Sequence, residues 1–363
     1  MDALTPDTFK PILKKLTTDA DSFSEDDMRA AFEHIVRPES HTAAQISAFL
    51  TALKLTQYDS KSAYIAAAAT VMRSHSVQID GLSSVSPTCD IVGTGGDGLD
   101  TFNVSTSAAV VAAGAGATVT KHGARSASSA SGSADLLLSL GCSLSIEPSR
   151  LPSILSESKF AFLFASNYHP AMAHVAPLRR EIGFPTIFNF LGPLMNPAKP
   201  ARMVVGVAKR ELATVFVDAL NRLGVERAMV VRGKEGMDEI SPEGETEIWE
   251  LENGNVKEYT VSPASFGLRP HPLSAVKSGT PSNNANIFRA ILSASTPSFD
   301  DIPKGVEIAA LKDWILMNAS ALLVVSGQAS NFGQGVVKAR DSIESLKAKA
   351  ALDAFKQAGQ EVN

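Results

Sequence analysis

Three short clusters along the chain combine residue types that handle phosphate and divalent metal. The first is Gly93-Thr94-Gly95-Gly96-Asp97-Gly98, with Ser105 and Thr106 behind it. Glycines let a backbone approach a ligand and present its N–H groups, and hydroxyls at a helix start add donors where the dipole favours an anion. The second is Lys121-His122-Gly123-Ala124-Arg125, trailed by Ser126, Ser128, Ser129, Ser131 and Ser133. Cations and a glycine at the carboxyl end of a strand lie where α/β sheets bind ligands. The third is Asp238-Glu239 in a Gly-Met-Asp-Glu-Ile loop. Adjacent carboxylates offer hard oxygens, which suit magnesium shared with substrate phosphates. Each cluster alone has an ordinary reading: a tight strand–helix turn, a polar surface loop, a solvated acidic loop.

The glycine cluster satisfies G-x-G-x-x-G, so a dinucleotide site has to be weighed. Three features argue against it. Leu99 to Asn103 intervene before helix chemistry begins near Ser105, the next strand ends in Lys121-His122 where a ribose-binding acid belongs, and Asp97 would face a pyrophosphate without a cation between them. No Gly-Lys-Ser/Thr closes a P-loop. A longer phosphate cradle fits better, and two consecutive βα loops rich in anion-binding groups suggest a ligand with two phosphate ends.

The elements that position these clusters follow from pattern. Ser24-Glu25-Asp26-Asp27 and Thr42-Ala43-Ala44-Gln45 resemble capping boxes, and Ser60 to Arg73 is alanine-rich, so a small all-helical region opens the chain. Gly81 to Pro87 reads as a linker. Strands are predicted at Thr88–Val92, Ala117–Lys121, Met203–Val207 and Ala228–Val231, alternating with helices at Ser105–Ala113, Ser131–Leu140 and Glu211–Leu223. That alternation signals βαβ units and a parallel sheet. Asn253-Gly254 between Thr246–Leu251 and Val256–Val261 signals a hairpin, hence an antiparallel edge. The tail predicts helices at Asn286–Leu292, Val306–Val325 and one long helix at Val336–Phe355, whose Lys338, Arg340, Lys347 and Lys349 form a solvated face.

Composition narrows the function classes. Hydrophobic content of 44% and charged content of 20% are those of an ordinary globular protein. A net charge of −5 argues against nucleic acid as partner. Cys89 and Cys142 make neither a disulfide framework nor a zinc site. The N-terminus resembles no signal or transit peptide, and the Ala/Gly-rich stretch Ala108–Thr118, read as the most apolar, is too short for a bilayer, so a cytoplasmic protein with no membrane partner is expected.

In order, Gly93 to Asp97, Thr101-Phe102-Asn103-Val104-Ser105-Thr106, Lys121-His122-Gly123-x-Arg125, Ser131-Gly132-Ser133-Ala134-Asp135, Asn189-Phe190-Leu191-Gly192-Pro193-Leu194 with Asn196-Pro197, and Asp238-Glu239 resemble the signature of the anthranilate phosphoribosyltransferases. The resemblance runs from roughly 40 to 330 and is specific as a set. It implies an α/β fold in which a small helical domain, residues 1–84 joined by helices near 168–184, is hinged to a large domain, residues 85–363, with a mostly parallel central sheet. It implies transfer of the 5-phosphoribosyl group of 5-phosphoribosyl-1-pyrophosphate (PRPP) to the amine of anthranilate, a step of tryptophan biosynthesis. PRPP would meet Gly93, Gly96, Asp97, Thr101, Asn103, Ser105, Thr106, Lys121 and Ser133. Anthranilate would meet Gly93, His122, Arg179 and Pro193, with His169 and His174 near the aromatic channel. Ser105, Asp238 and Glu239 would reach two magnesium ions, and a homodimer would form through the helical domain.

Arg179 is favoured over Arg180 by its register four residues before Gly183, and a guanidinium fork suits an aromatic carboxylate. One departure stands out: family members usually carry asparagine where this chain has Ala124. The loss of an amide there bears on the acceptor contacts and leaves the PRPP cradle intact. Two other classes fit the residues less well. A pyrimidine-nucleoside phosphorylase of related fold is disfavoured by Asn189–Leu194, and a non-catalytic nucleic-acid-binding relative is disfavoured by net charge.

Overall fold

The computed structural model describes residues 3–85, 87–126, 130–295 and 297–360; Ser128 and Ser129 of the serine-rich run lie outside the described residues. Four helices open the chain: α1 (Pro6–Thr18), α2 (Glu25–Ile35), α3 (Ala43–Leu55) and α4 (Ser62–Ser74). Ser24 and Thr42 cap α2 and α3 with reciprocal capping boxes, which satisfy free N–H groups at both ends of the exchange.

The α/β part then alternates as its sequence pattern predicts. It runs β1 (Cys89–Gly93), α5 (Val104–Gly114), β2 (Val119–Gly123), α6 (Ser133–Ser139), α7 (Leu151–Ser158) and β3 (Phe160–Phe164). Next come α8 (Ala165–Tyr168), α9 (Met172–Ile182), α10 (Phe188–Leu191), β4 (Arg202–Gly206), α11 (Arg210–Arg222) and β5 (Arg227–Gly233). The hairpin β6 (Thr246–Glu252) and β7 (Asn255–Val261) follows, then α12 (Pro281–Leu292), α13 (Ile308–Val325), α14 (Phe332–Glu344) and α15 (Lys347–Gln360). The strands form one seven-stranded sheet, ordered β3-β2-β1-β4-β5-β6-β7. Pairing is parallel from β3 to β5 and antiparallel at β6 and β7.

Three features differ from the sequence pattern. β3 was not anticipated; its run Phe-Ala-Phe-Leu-Phe is apolar throughout because the strand is covered on both sides. The expected single last helix is two, α14 and α15, broken where Leu346 takes a left-handed φ of 63°. α13, not singled out by the sequence pattern as apolar, is alone among the described residues long and apolar enough to span a bilayer, and 78% of it is buried inside the fold. Its packing against α5 and α14 makes it the central core helix of the α/β part.

Alternate residues of the central strands feed two cores. Val204, Met229 and Val231 face the core around α5 and α13, whereas Met203, Val205, Ala228 and Val230 face α11 and the N-terminal helices. Val175 of α9 and Phe188 and Leu191 of α10 join that second core. The middle helices therefore pack with the N-terminal bundle, although they lie a hundred residues on in the chain.

Candidate active site

The carboxyl ends of β1, β2 and the loop after β5 converge on a cavity of about 330 Å³. Its floor depends on absent side chains. Gly93 and Gly206 are register partners on β1 and β4, and Asp238 descends into the hollow they leave. A methyl on Gly93 would stand 2.3 Å from Asp238 Oδ2, and one on Gly206 would stand 1.5 Å from the Asp238 carbonyl. Beyond β1, Gly95, Gly96 and Gly98 all adopt positive φ, which curls the loop around the cavity. The Gly95 N–H donates to Asp238 Oδ2 at 2.6 Å.

Opposite the glycine loop, Lys121 is 1% exposed, and its Nζ donates to the Ile91 carbonyl at 2.6 Å and to Ser105 Oγ at 3.4 Å. Asn103, preceding α5, donates through Nδ2 to the Ser131 carbonyl at 2.7 Å and accepts from Asn284 Nδ2 at 3.0 Å. Thr101 bridges to Lys277 of the later chain. Together these bonds tie the two βα loops into one rim.

The cavity brings together Gly93, Gly96, Asp97, Thr101, Asn103, Ser105, Lys121, His122, Ser133, Asp238 and Glu239. Thr106 is fully buried behind that wall and donates to Ser133 Oγ at 2.9 Å, so it supports a lining residue instead of lining the cavity. Arg179 and Pro193 also lie outside the lining. Arg179 is half-buried on α9, its guanidinium 5.3 Å from the Phe188 ring centre and its Nη2 3.3 Å from Asn189 Oδ1, while Arg180 is exposed. His122 and His169 stack edge to face at 5.2 Å, and neither His169 ring nitrogen makes a hydrogen bond of good geometry. His174, by contrast, is satisfied by the Ile35 carbonyl at 2.7 Å.

Sequence reasoning missed a buried layer beneath this surface. Asp90 is fully buried; its Oδ2 accepts from Asn196 Nδ2 at 2.8 Å and from the His122 N–H at 3.3 Å. Arg73 of α4, 6% exposed, donates through Nε to the Leu194 carbonyl at 2.5 Å. Asn196 was legible only as part of a motif, and Arg73 had no signal beyond its place at a helix end.

Electrostatically the site gathers more carboxyl groups than its own residues balance, so their ionisation is held back. Burial raises the Asp238 carboxyl to about 7, and the nearby Asp97 adds to the rise. Glu239 is pushed well above the carboxylate range by burial, then by Asp238 and Asp97. One Glu239 oxygen, Oε2, is sealed from solvent with no partner. Like charges and an orphaned oxygen facing a phosphate cradle form a donor set that fits a hard divalent cation. Among the described residues no group of three or more His, Cys, Asp or Glu is placed to hold a metal by itself. Burial lowers His122 to about 3 and His169 to about 4, so both rings are neutral near pH 7.

Known proteins match this arrangement along nearly the whole chain. Residues 85–349 match the glycosyl transferase family a/b domain, and residues 10–76 match the helical bundle domain of the same family. The anthranilate phosphoribosyltransferase of Schizosaccharomyces pombe is 41% identical over 98% of this chain and 99% of its own. That of Phenylobacterium zucineum is 40% identical over 96% and 97%. Among solved structures, the Saccharomyces cerevisiae enzyme in complex with PRPP and Mg superposes with a TM-score of 0.87 at 34% identity, covering 99% of both chains. The Thermus thermophilus enzyme superposes at 0.85 with 35% identity, covering 96% of this chain and 99% of its own. A glycine-lined cradle, a buried lysine and a carboxylate cluster at the carboxyl edge of the sheet, in a chain that aligns end to end with these enzymes, show that it belongs to the anthranilate phosphoribosyltransferase family.

Proposed function

We propose that this chain transfers the 5-phosphoribosyl group of PRPP to the amine of anthranilate, releasing pyrophosphate, as a step of tryptophan biosynthesis. The observation that carries the reading is the seating of Asp238 in the Gly93–Gly206 hollow, directly beneath the glycine loop. The S. cerevisiae relative has been solved with PRPP and Mg and also with 4-fluoroanthranilate, which supports the same two substrates here.

In this reading the backbone N–H groups from Gly93 to Gly98, with Ser105, Lys121, Asn103 and Ser133, hold the phosphates. Asp238, Glu239 and Ser105 hold magnesium, which when bound neutralises the departing pyrophosphate; we assign two ions. His122 and the Pro193 segment line the acceptor side, and Arg179 takes the anthranilate carboxylate. The aromatic amine keeps its lone pair near neutral pH, so it attacks C1′ as the C1′–O bond to pyrophosphate breaks, and the N–H proton passes to pyrophosphate or water. The residues' task is positioning and water exclusion, and no strong base is required of them. We further read the N-terminal helices as a domain hinged near residue 84, the assembly as a homodimer through that domain, and the setting as cytoplasmic, where the buried free thiols Cys89 and Cys142 stay reduced.

The test follows loss of anthranilate fluorescence with PRPP and magnesium. Turnover is expected in the parent, and Asp238→Asn with Glu239→Gln should cut it by orders of magnitude with the circular dichroism unchanged. Undiminished magnesium-dependent turnover in that double variant would remove the carboxylates from the mechanism.

A further inference from the structure

Arg73 is a charged group without a counter-charge. It ends α4, is 6% exposed, and makes one side-chain hydrogen bond, from Nε to the Leu194 carbonyl. Its Nη2 is sealed from solvent and has no partner, and among the described residues no carboxylate pairs with it. Burial alone acts on its charge, drawing the pKa down only to about 10, so it remains a cation at neutral pH. A buried, unpaired guanidinium is costly to hold in a fold, because the protein forgoes hydration without gaining an ion pair. A plain helix-end contact to one carbonyl does not offset that cost.

Its location supplies the missing partner. The carbonyl it grips belongs to Leu194, the neighbour of Pro193, in the segment that the proposed function assigns to the acceptor side. Its charge is felt at His122, which lines the cavity. His169 packs on His122, and the two rings are neutral, so neither contributes positive charge. The unpaired charge therefore acts on the cavity across its His122 wall, a low-dielectric region where a charge acts over several ångströms.

We propose that Arg73 is a specificity-determining positioning residue, whose unpaired guanidinium at the Leu194 carbonyl gives the acceptor pocket a positive potential that selects amines bearing a carboxylate. It acts at a distance, through the Leu194 carbonyl and the His122–His169 wall, and is additional to Arg179, which is half-buried on another helix. This rests on the assignment of anthranilate as acceptor.

The experiment compares kcat/KM for anthranilate and for 2-aminobenzamide, its uncharged isostere, at saturating PRPP and magnesium, in the parent, R73Q and R73K. Where the amide is not turned over, its inhibition constant against anthranilate takes its place. Calorimetric binding of PRPP checks that each variant keeps its fold. R73Q should lose roughly tenfold or more in its preference for anthranilate over the amide, mostly through KM. R73K keeps the charge and most of the stem, is the variant expected to fold, and should hold that preference within about threefold of the parent. Equal losses on both acceptors in R73Q, or a collapsed preference in a folded R73K, overturns the assignment. A parent protein that binds PRPP but turns over neither acceptor overturns the anthranilate reading instead.

Discussion

Asp238 reaches the glycine loop only because two methyl groups are missing. The Gly93 and Gly206 hollow is specific enough that Gly93→Ala should displace the carboxylate, since its new Cβ would lie 2.3 Å from Oδ2. A displacement of about an ångström in a positioned group costs roughly a hundredfold in rate. Turnover should fall by that order with PRPP affinity reduced, and a variant with parental kinetics would show that Asp238 is free to move. Ala124 poses the opposite case. It is exposed and lines the cavity, so an asparagine there has room to offer its amide to the acceptor. Ala124→Asn should lower the KM for anthranilate or leave it level, with the KM for PRPP unchanged; a raised anthranilate KM would mean that the alanine is fitted to this pocket. Gly93, Asp238 and the loop of Ala124 stood out in the sequence because phosphate and metal chemistry demands recognisable types at short spacing; Gly206, a lone glycine at a strand end, did not. Nor did the buried layer. Asn196 meets Asp90 across 106 residues and Leu194 meets Arg73 across 121, and no local pattern marks such pairs.

The elements place these residues by the ordinary logic of a parallel sheet. Every strand from β1 to β5 delivers its carboxyl end to one side, so the loops after β1, β2 and β5 meet without special geometry. That much follows from alternating β-branched runs and small-residue helices. Sequence pattern loses its force where an element is apolar on all sides, as in β3, or where one residue breaks a periodic run, as Leu346 does between α14 and α15. It is silent on α9, whose place beside the N-terminal bundle is set by tertiary packing of Val175 against a distant core. The family resemblance implies such a placement, and with it an acceptor-side role for Arg179. With one 3.3 Å bond to Asn189 and the Phe188 face beneath it, the Arg179 guanidinium has donors to spare for a carboxylate. Arg179→Ala should raise the KM for anthranilate at least tenfold, by loss of a charge-assisted contact of about 1.5–3 kcal/mol, and leave that for PRPP within about twofold. Equal rises in both constants would place Arg179 in the scaffold and not in the acceptor site.

At the scale of the whole molecule, one face of the sheet and the N-terminal helices share a continuous core, and neutral histidines sit near their meeting with the site. His169 is the clearest. It is 3% exposed, neither ring nitrogen makes a hydrogen bond of good geometry, and burial, opposed only in part by the Met195 backbone, lowers it from 6.5 to about 4. The sign of its pH effect follows from linkage. Between about 6.5 and 4 the unfolded chain binds a proton at this residue that the folded chain refuses, so folding stability is intact above that window and declines as pH falls through it. At pH 5 the two pKa values imply a loss of about 2 kcal/mol at this one position. Buried carboxyls move the other way: Asp90, raised to about 6, and Asp238, raised to about 7, take up protons in the folded state before they would in the unfolded chain. The total pH dependence is therefore a difference of opposed terms, and only a comparison of variant with parent isolates the histidine. His169→Asn keeps a polar side chain of smaller volume and cannot titrate in this range. Its stability should decline less than the parent's between pH 7 and pH 5, so the gap between the two unfolding curves shifts toward the variant on acidification. Denaturant unfolding at the two pH values, followed by circular dichroism, measures that gap directly. Parallel declines in parent and variant would mean that His169 takes up its proton within the fold, and that the wall between the helical bundle and the cavity is open enough to hydrate it.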